Sequence, residues 1–289
     1  MKNSWKENAR NINYKEENII TCELLDINNN WIYNELKIDL NYEYINNDGY
    51  LFKVNNELKH IEIPKNIFQT HKSFNYVKKN KNLRYSYISW YRNYPKYNYQ
   101  FYNDQECYDF IKNNFDENVL KAYEKCPLNV MKADLWRYCI IFKYGGIYGD
   151  MDAVLLTNPD NFMKKSYLIL TPEDNGIFFC NWTFAAPKES PILYTIINES
   201  VKRILEIKEI KGEHIVHELT GPALMTFAIE KYLKENNYIT FSNKLDYYRY
   251  QNDVIHCFPS NIFHNEMIRH LFMGSSIDGW KRQRDKLLI

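Results

Sequence analysis

The chain has 289 residues, a formal net charge of +1, 45% hydrophobic residues and 25% charged residues. That length and apolar content suit one large α/β domain, or one domain with a small appendage, and exclude wholesale disorder. The near-neutral balance gives no support for a nucleic-acid partner.

No basic-then-apolar start and no apolar run of about 18 residues is present, so neither a signal peptide nor a membrane span is expected. The reading is a soluble, cytoplasmic protein. The six cysteines, at 22, 107, 126, 139, 180 and 257, show no C-x-x-C spacing, which argues against a zinc site and fits buried thiols in a reducing compartment. The 25 tyrosines and asparagine runs such as Asn28-Asn29-Asn30 point to an A/T-rich genome, bacterial, protist or viral, rather than to a function.

Residues 1 to about 20 are polar and read as a loose helix or tail. Alternating runs follow at Trp31-Ile32-Tyr33, Leu36–Leu40 and Tyr50–Val54, with Asn47-Asp48-Gly49 as a hairpin turn signal. They predict a small β appendage, so the chain divides into residues 1–60 and a catalytic unit at 61–289. Ile63–Thr70 reads as the first core strand, with Pro64 at its edge, and 74–93 as a helix. Tyr97–Tyr102 reads as a strand, Asn103-Asp104 as a helix cap, and Gln105–Asn113 as the helix behind it. Over Leu128–Tyr144, Met131, Leu135, Tyr138 and Phe142 recur at helical spacing. Ala133, Trp136 and Ile140 make the other side apolar, so this helix is expected to be covered on both sides. Gly145-Gly146 ends it. Later expectations are a strand at 167–171, strand material over Ile177–Ala186, helices at 191–208 and from Thr220 to about 233, and a strand at Val254–Phe258. Alternating helices and strands predict a mainly parallel sheet, with a ligand at the strands' carboxyl ends.

The most informative stretch is Gly145-Gly146-Ile147-Tyr148-Gly149-Asp150-Met151-Asp152. If it stays extended, Asp150 and Asp152 share a face at the end of the sheet. Paired carboxylates there suit a hard divalent cation, which can hold a diphosphate. Asp134 and Arg137 are helix neighbours. As an exposed ion pair they would contribute about 0.5 kcal/mol, but the helix around them is apolar, so a charged pair there needs further partners.

In sequence order, Ile63-Pro64-Lys65-Asn66-Ile67-Phe68-Gln69, Tyr99–Asp104, Lys132-Ala133-Asp134-Leu135-Trp136-Arg137-Tyr138, the Gly145–Asp152 stretch and Thr220-Gly221-Pro222 are similar to the sugar-binding-region glycosyltransferases that contain a DxD motif. That group includes yeast initiating mannosyltransferases and capsular polysaccharide enzymes, and is distantly related to the cores of clostridial glucosylating toxins. The resemblance covers roughly residues 61–280. It implies a GT-A, Rossmann-like nucleotide-sugar-binding fold and a retaining hexosyltransferase. It also implies Mn²⁺ or Mg²⁺, a nucleotide-sugar donor (UDP-linked first, GDP-linked as the alternative), and a glycan or protein acceptor.

By residue, the resemblance assigns catalysis to Asp134, Arg137, Asp150, Asp152 and Asn181, and donor binding to Gln69, Thr70, Asp134, Arg137, Asp150 and Ser275. Asp152 is the direct metal ligand. Asp150 touches the ribose or sugar hydroxyls or reaches the metal through water, and the third ligand lies among His270, Ser275 and Ser276. Asn181-Trp182 and Glu173-Asp174 face the acceptor or the reacting carbon. Thr70-His71-Lys72 replaces the family's usual Trp after the first strand, and Trp280 is displaced. A nucleotide-sugar hydrolase and a catalytically silent nucleotide-sugar- or glycan-binding relative stand as alternatives.

Overall fold

The computed structural model describes residues 6, 9–15, 19–25, 29–37, 43–47, 50–54, 61–92, 94–238, 240–250 and 254–272. The expected tail at 1–20 contains one strand and the start of a second instead. β1 (Ala9–Lys15) and β2 (Ile19–Leu25) pair antiparallel with β3 (Trp31–Lys37). Ile20, Cys22 and Leu24 alternate inward on β2 and form their own small core. That apolar period was masked by the polar residues of β1, most of which stay at least partly exposed. β4 (Glu43–Asn47) and β5 (Tyr50–Val54) form a hairpin at the expected turn, with Asn47 opposite Tyr50. Its first strand is Glu43–Asn47 rather than the run expected at Leu36–Leu40, whose Leu36-Lys37 end β3, and Asp48 and Gly49 lie outside the described residues.

The larger unit runs β6 (Asn66–Thr70), α1 (Phe74–Lys79), α2 (Lys81–Tyr91), β7 (Asn98–Tyr102), α3 (Asp104–Asn114), α4 (Glu117–Lys125), α5 (Asn129–Tyr144), β8 (Gly146–Gly149), β9 (Ala153–Leu155), β10 (Leu168–Leu170) and β11 (Thr183–Ala186). It continues with α6 (Pro191–Glu206), α7 (Ile215–Leu219), α8 (Pro222–Glu235), β12 (Ile255–Cys257) and β13 (Ile268–His270). The expected single helix at 74–93 is two, because Asn80 leaves the helical region and its side chain caps α2. Asn103 caps α3 through a full capping box with Glu106. No sequence signal had marked α4, α7, β9 or β13. The strand material at 177–186 shortens to β11 plus a bridge between Pro172 and Phe179.

The central sheet has the order β12-β10-β11-β8-β6-β7. It is parallel except around β11, which runs antiparallel to both neighbours. Successive residues face opposite layers. Phe68, Tyr148, Leu168, Leu170 and Phe184 join the core beneath α3 to α8. Ile67, Ile147, Ile169 and Ala185 join a second core with Trp90, Trp182 and Phe263. Burial on both faces is what a sheet of this kind requires. α5 is buried continuously from Asp134 to Ile141, as its two apolar flanks predicted. All six cysteines are free and buried, and no helix among the described residues is long and apolar enough to cross a membrane.

Gly145-Gly146 turns the chain from α5 into β8. Gly145 has φ 65° and Gly146 φ 126°, and a Cβ on Gly146 would lie 2.5 Å from the Asn66 carbonyl oxygen of the neighbouring strand. Both the dihedral and the close approach call for glycine. Gly146→Ala is therefore expected to lower stability by roughly 3 kcal/mol, read as a fall in the urea midpoint at constant slope. A midpoint within error of wild type would remove this constraint.

Candidate active site

Asp150 and Asp152 do not continue β8 as an extended segment. The strand stops at Gly149, and the Ala153 amide donates to the Asp150 carbonyl at 2.9 Å, closing a tight turn. Met151, 5% exposed, packs inward against Val77 and Leu83 and so pins the turn between the two acids. The turn is held from behind as well. Gln69 Nε2 donates to the Asp150 carbonyl at 3.0 Å, and Tyr99 OH donates to Gln69 Oε1 at 2.9 Å. On α2, Trp90 Nε1 donates to the Ala153 carbonyl at 2.7 Å, and Ser86 donates to the same oxygen. Gln69 is fully buried with both ends of its amide engaged, so its side chain acts on the site through the turn.

Arg137 is the hub of the site. Its Nη2 lies 3.0 Å from Asp134 Oδ1 and 3.1 Å from Asp150 Oδ1, and its Nη1 donates to the Asn181 carbonyl at 2.7 Å. The guanidinium lies over the Tyr148 ring at 4.5 Å, and the Tyr148 hydroxyl donates to Asp150. Asp134 Oδ1 also accepts from Asn181 Nδ2 at 3.0 Å, and Oδ2 accepts from Thr220 Oγ1 at 2.9 Å. Burial pushes the Asp134 carboxyl up to about 7, against the pull of Arg137. Burial also works against the Arg137 charge, but Asp150, Tyr148 and Asp134 outweigh it and hold that pKa above its ordinary value. The expected helix-neighbour pair is thus part of a buried network reaching the junction of α7 and α8, β8 and the approach to β11.

His270 arrives from the far end of the chain. β13 pairs antiparallel with β9, placing His270 opposite Ala153, and the Leu271 amide donates to the Asp152 carbonyl at 2.9 Å. His270 Nε2 lies 3.2 Å from Asp152 Oδ1. Asp150, Asp152 and His270 each offer one donor atom within 4.8 Å of the others. Burial raises the Asp150 pKa, with Arg137 opposing and the nearby Asp152 charge adding to it. Two converging carboxylates and an imidazole fit a divalent cation, which would relieve that repulsion. Ser275, Ser276 and Trp280 lie outside the described residues.

Asp134, Arg137, Asp150, Asn181 and His270 line one cavity of about 350 Å³. A second, of about 240 Å³, lies beside Thr70, Asp104 and Lys132; Thr70 Oγ1 itself donates to the Tyr102 carbonyl at 2.8 Å. The structure therefore gathers Asp134, Arg137, Asp150, Asp152, Asn181 and His270 at one place and sets Thr70 at a neighbouring one. Thr220, which fixes Asp134, was not assigned a role from sequence; Trp182, expected to face the acceptor or the reacting carbon, stacks on His270 at 4.7 Å. The Thr220-Gly221-Pro222 element was the available signal for Thr220.

Residues 65–169 match the family described as a glycosyltransferase sugar-binding region containing a DXD motif. An initiation-specific alpha-1,6-mannosyltransferase of Schizosaccharomyces pombe is 30% identical over 201 residues, covering 60% of this chain and 50% of its own length. One of Candida albicans is 26% identical over 282 residues, 80% of this chain and 71% of its own. The chain thus spans about half the length of the first relative. The solved PaToxG glycosyltransferase aligns with a TM-score of 0.44 at 18% identity, over 60% of this chain and 70% of its own. Gln69, Asp134, Arg137, Asp150 and Asp152 fall inside the matched residues; Asn181, Thr220 and His270 lie beyond them.

Replacing the Arg137 fork by a single ammonium keeps the charge but cannot make all three contacts. Arg137→Lys is expected to lower stability by about 1–3 kcal/mol, measured by urea denaturation. An unchanged midpoint would show that the network does not depend on the planar group.

Proposed function

We propose that the chain is a metal-dependent glycosyltransferase. It moves a hexose from a nucleoside-diphosphate sugar to a glycan or protein acceptor with retention of anomeric configuration. The observation that carries this reading is the convergence of Asp150, Asp152 and His270 within 4.8 Å, beside a cavity lined by Asp134 and Arg137. The similarity to alpha-1,6-mannosyltransferases puts mannose first among the hexoses. The catalytic unit is residues 61–289, with the N-terminal strands as a separate appendage.

Asp150, Asp152 and His270 would hold the cation, and the imidazole among its ligands favours Mn²⁺ over Mg²⁺. When bound, such a cation neutralises charge growing on a departing diphosphate. Asp134 has both oxygens engaged, but Oδ2 accepts only from Thr220, which leaves it lone-pair capacity for a sugar hydroxyl. Arg137 has a buried Nε without a partner, a donor left for sugar or phosphate oxygen. Asn181 orients both through its amide and carbonyl. The second cavity, beside Thr70 and Asp104, suits the nucleoside, with UDP read first from the sequence and GDP as the alternative. With the acceptor attacking on the face that the diphosphate leaves, the leaving oxygen takes the acceptor proton and no carboxylate nucleophile is required.

A thermal-shift screen of UDP-glucose, UDP-galactose and GDP-mannose, each with and without Mn²⁺, tests the donor. One nucleotide sugar is expected to stabilise the protein only with Mn²⁺, by about 2.7 kcal/mol at a hundredfold excess over Kd. Asp152→Ala is expected to keep the unliganded midpoint, lose that stabilisation and lose at least about 100-fold in transfer. Near-wild-type transfer in this variant would refute the metal assignment. Sugar released only to water, with an acceptor present, would identify a nucleotide-sugar hydrolase instead.

A further inference from the structure

Among the described residues, five buried side-chain nitrogens have no hydrogen-bond partner. Three of them, Arg137 Nε, His264 Nε2 and His270 Nδ1, belong to side chains that line the larger cavity. Orphans concentrated at one cavity mark a place where polar ligand atoms are missing. Arg137 and His270 serve the donor reading; His264 does not.

His264 stands one ring further out. His270 stacks on Trp182 at 4.7 Å, and Trp182 meets His264 at 5.3 Å. His264 Nδ1 lies 3.5 Å from Asp174 Oδ1. Asp174 and Glu173 line the same cavity from the turn between β10 and β11. That turn is fixed by Glu173 N donating to the Phe178 carbonyl at 2.8 Å and Gly176 N donating to the Glu173 carbonyl at 2.9 Å. It is braced from behind by Lys244 N on the Gly176 carbonyl at 2.7 Å. Phe272 lines the cavity beyond His270. It is 67% exposed, has φ 52° and sets its ring edge-on to His270 at 4.4 Å. A large aromatic residue held exposed in the left-handed region is strained, and such strain gathers at ligand-contacting positions.

We propose that Glu173, Asp174, His264 and Phe272 form the acceptor subsite and that it takes a neutral hexosyl unit at the end of a glycan. The inference rests on the transferase reading above and names the acceptor class that reading leaves open. Carboxylates and an imidazole accept hydrogen bonds from hydroxyls, and an aromatic face suits the C–H side of a pyranose ring. The Trp182 indole separates His264 from His270, and Phe272 touches His270 directly, so the acceptor sits beside the donor centre. Transfer requires that adjacency, because the reacting atoms must approach to about 3–3.5 Å. A basic polypeptide is the rival occupant, drawn by the two carboxylates and able to set an ammonium over the exposed ring; the peptide probe tests it directly.

The test is equilibrium binding by saturation-transfer NMR on the full chain with Mn²⁺ and UDP or GDP present. The probes are methyl α-mannoside, an α-linked mannobiose and a lysine-rich peptide. Wild type is expected to bind a glycan probe. Asp174→Asn and Phe272→Ala are expected to weaken it at least tenfold, with unchanged thermal midpoints and an unchanged nucleotide-and-Mn²⁺ shift. In turnover, the same variants should raise the acceptor KM and leave the donor KM in place. Glycan binding equal to wild type in both variants overturns the proposal. So does a wild type that binds the peptide and no glycan, or none of the probes. Loss of the nucleotide-and-Mn²⁺ shift in wild type counts against the donor reading instead and leaves the glycan comparison standing.

Discussion

A guanidinium with 4% of its side chain exposed is the constraint on which the rest of the site depends. A buried charge must be paired and hydrogen-bonded, or it unfolds what surrounds it. Arg137 meets that demand with Asp134 on its own helix, Asp150 on the turn after β8 and the Asn181 carbonyl before β11. Three segments, α5, the turn after β8 and the approach to β11, are thereby held to one group. The geometry of the acids follows from satisfying one cation, and the same contacts that stabilise the core aim Asp150 at the cavity.

The sheet supplies the frame. Its two layers of side chains come from alternate residues of the same strands, so β8 cannot slip without exchanging Ile147 and Tyr148 between cores. Tyr148 sits under Arg137 and donates to Asp150, so register and charge network specify each other. Met151 adds a lock, because the turn must project both acids outward when the methionine between them is buried.

Much of this was legible from pattern. α5 announced itself by apolar residues on two sides and a double glycine at its end. The glycine pair and the acids two residues apart located the site. What stayed hidden depended on distant partners. The turn at 150–153 reads as a strand because its closure rests on Gln69, Trp90 and Met151 packing rather than on turn residues. β13 is three residues long and exists by pairing with β9; no local period marks so short a segment. β1 and β2 were missed because polar residues on β1 hid the alternation that β2 carries. Thr220 was visible as part of a T-G-P element, but its hydroxyl reaches Asp134 across 86 positions, a contact no spacing rule supplies.

His270 lies 118 positions after Asp152, and it comes to the acids as the last residue of β13. The pairing of that strand and the completion of the donor set are one event. Whatever bridges Asp150, Asp152 and His270 therefore acts as a clasp on the C-terminal strand, and occupancy at the acids is felt as order in the chain's final described segment.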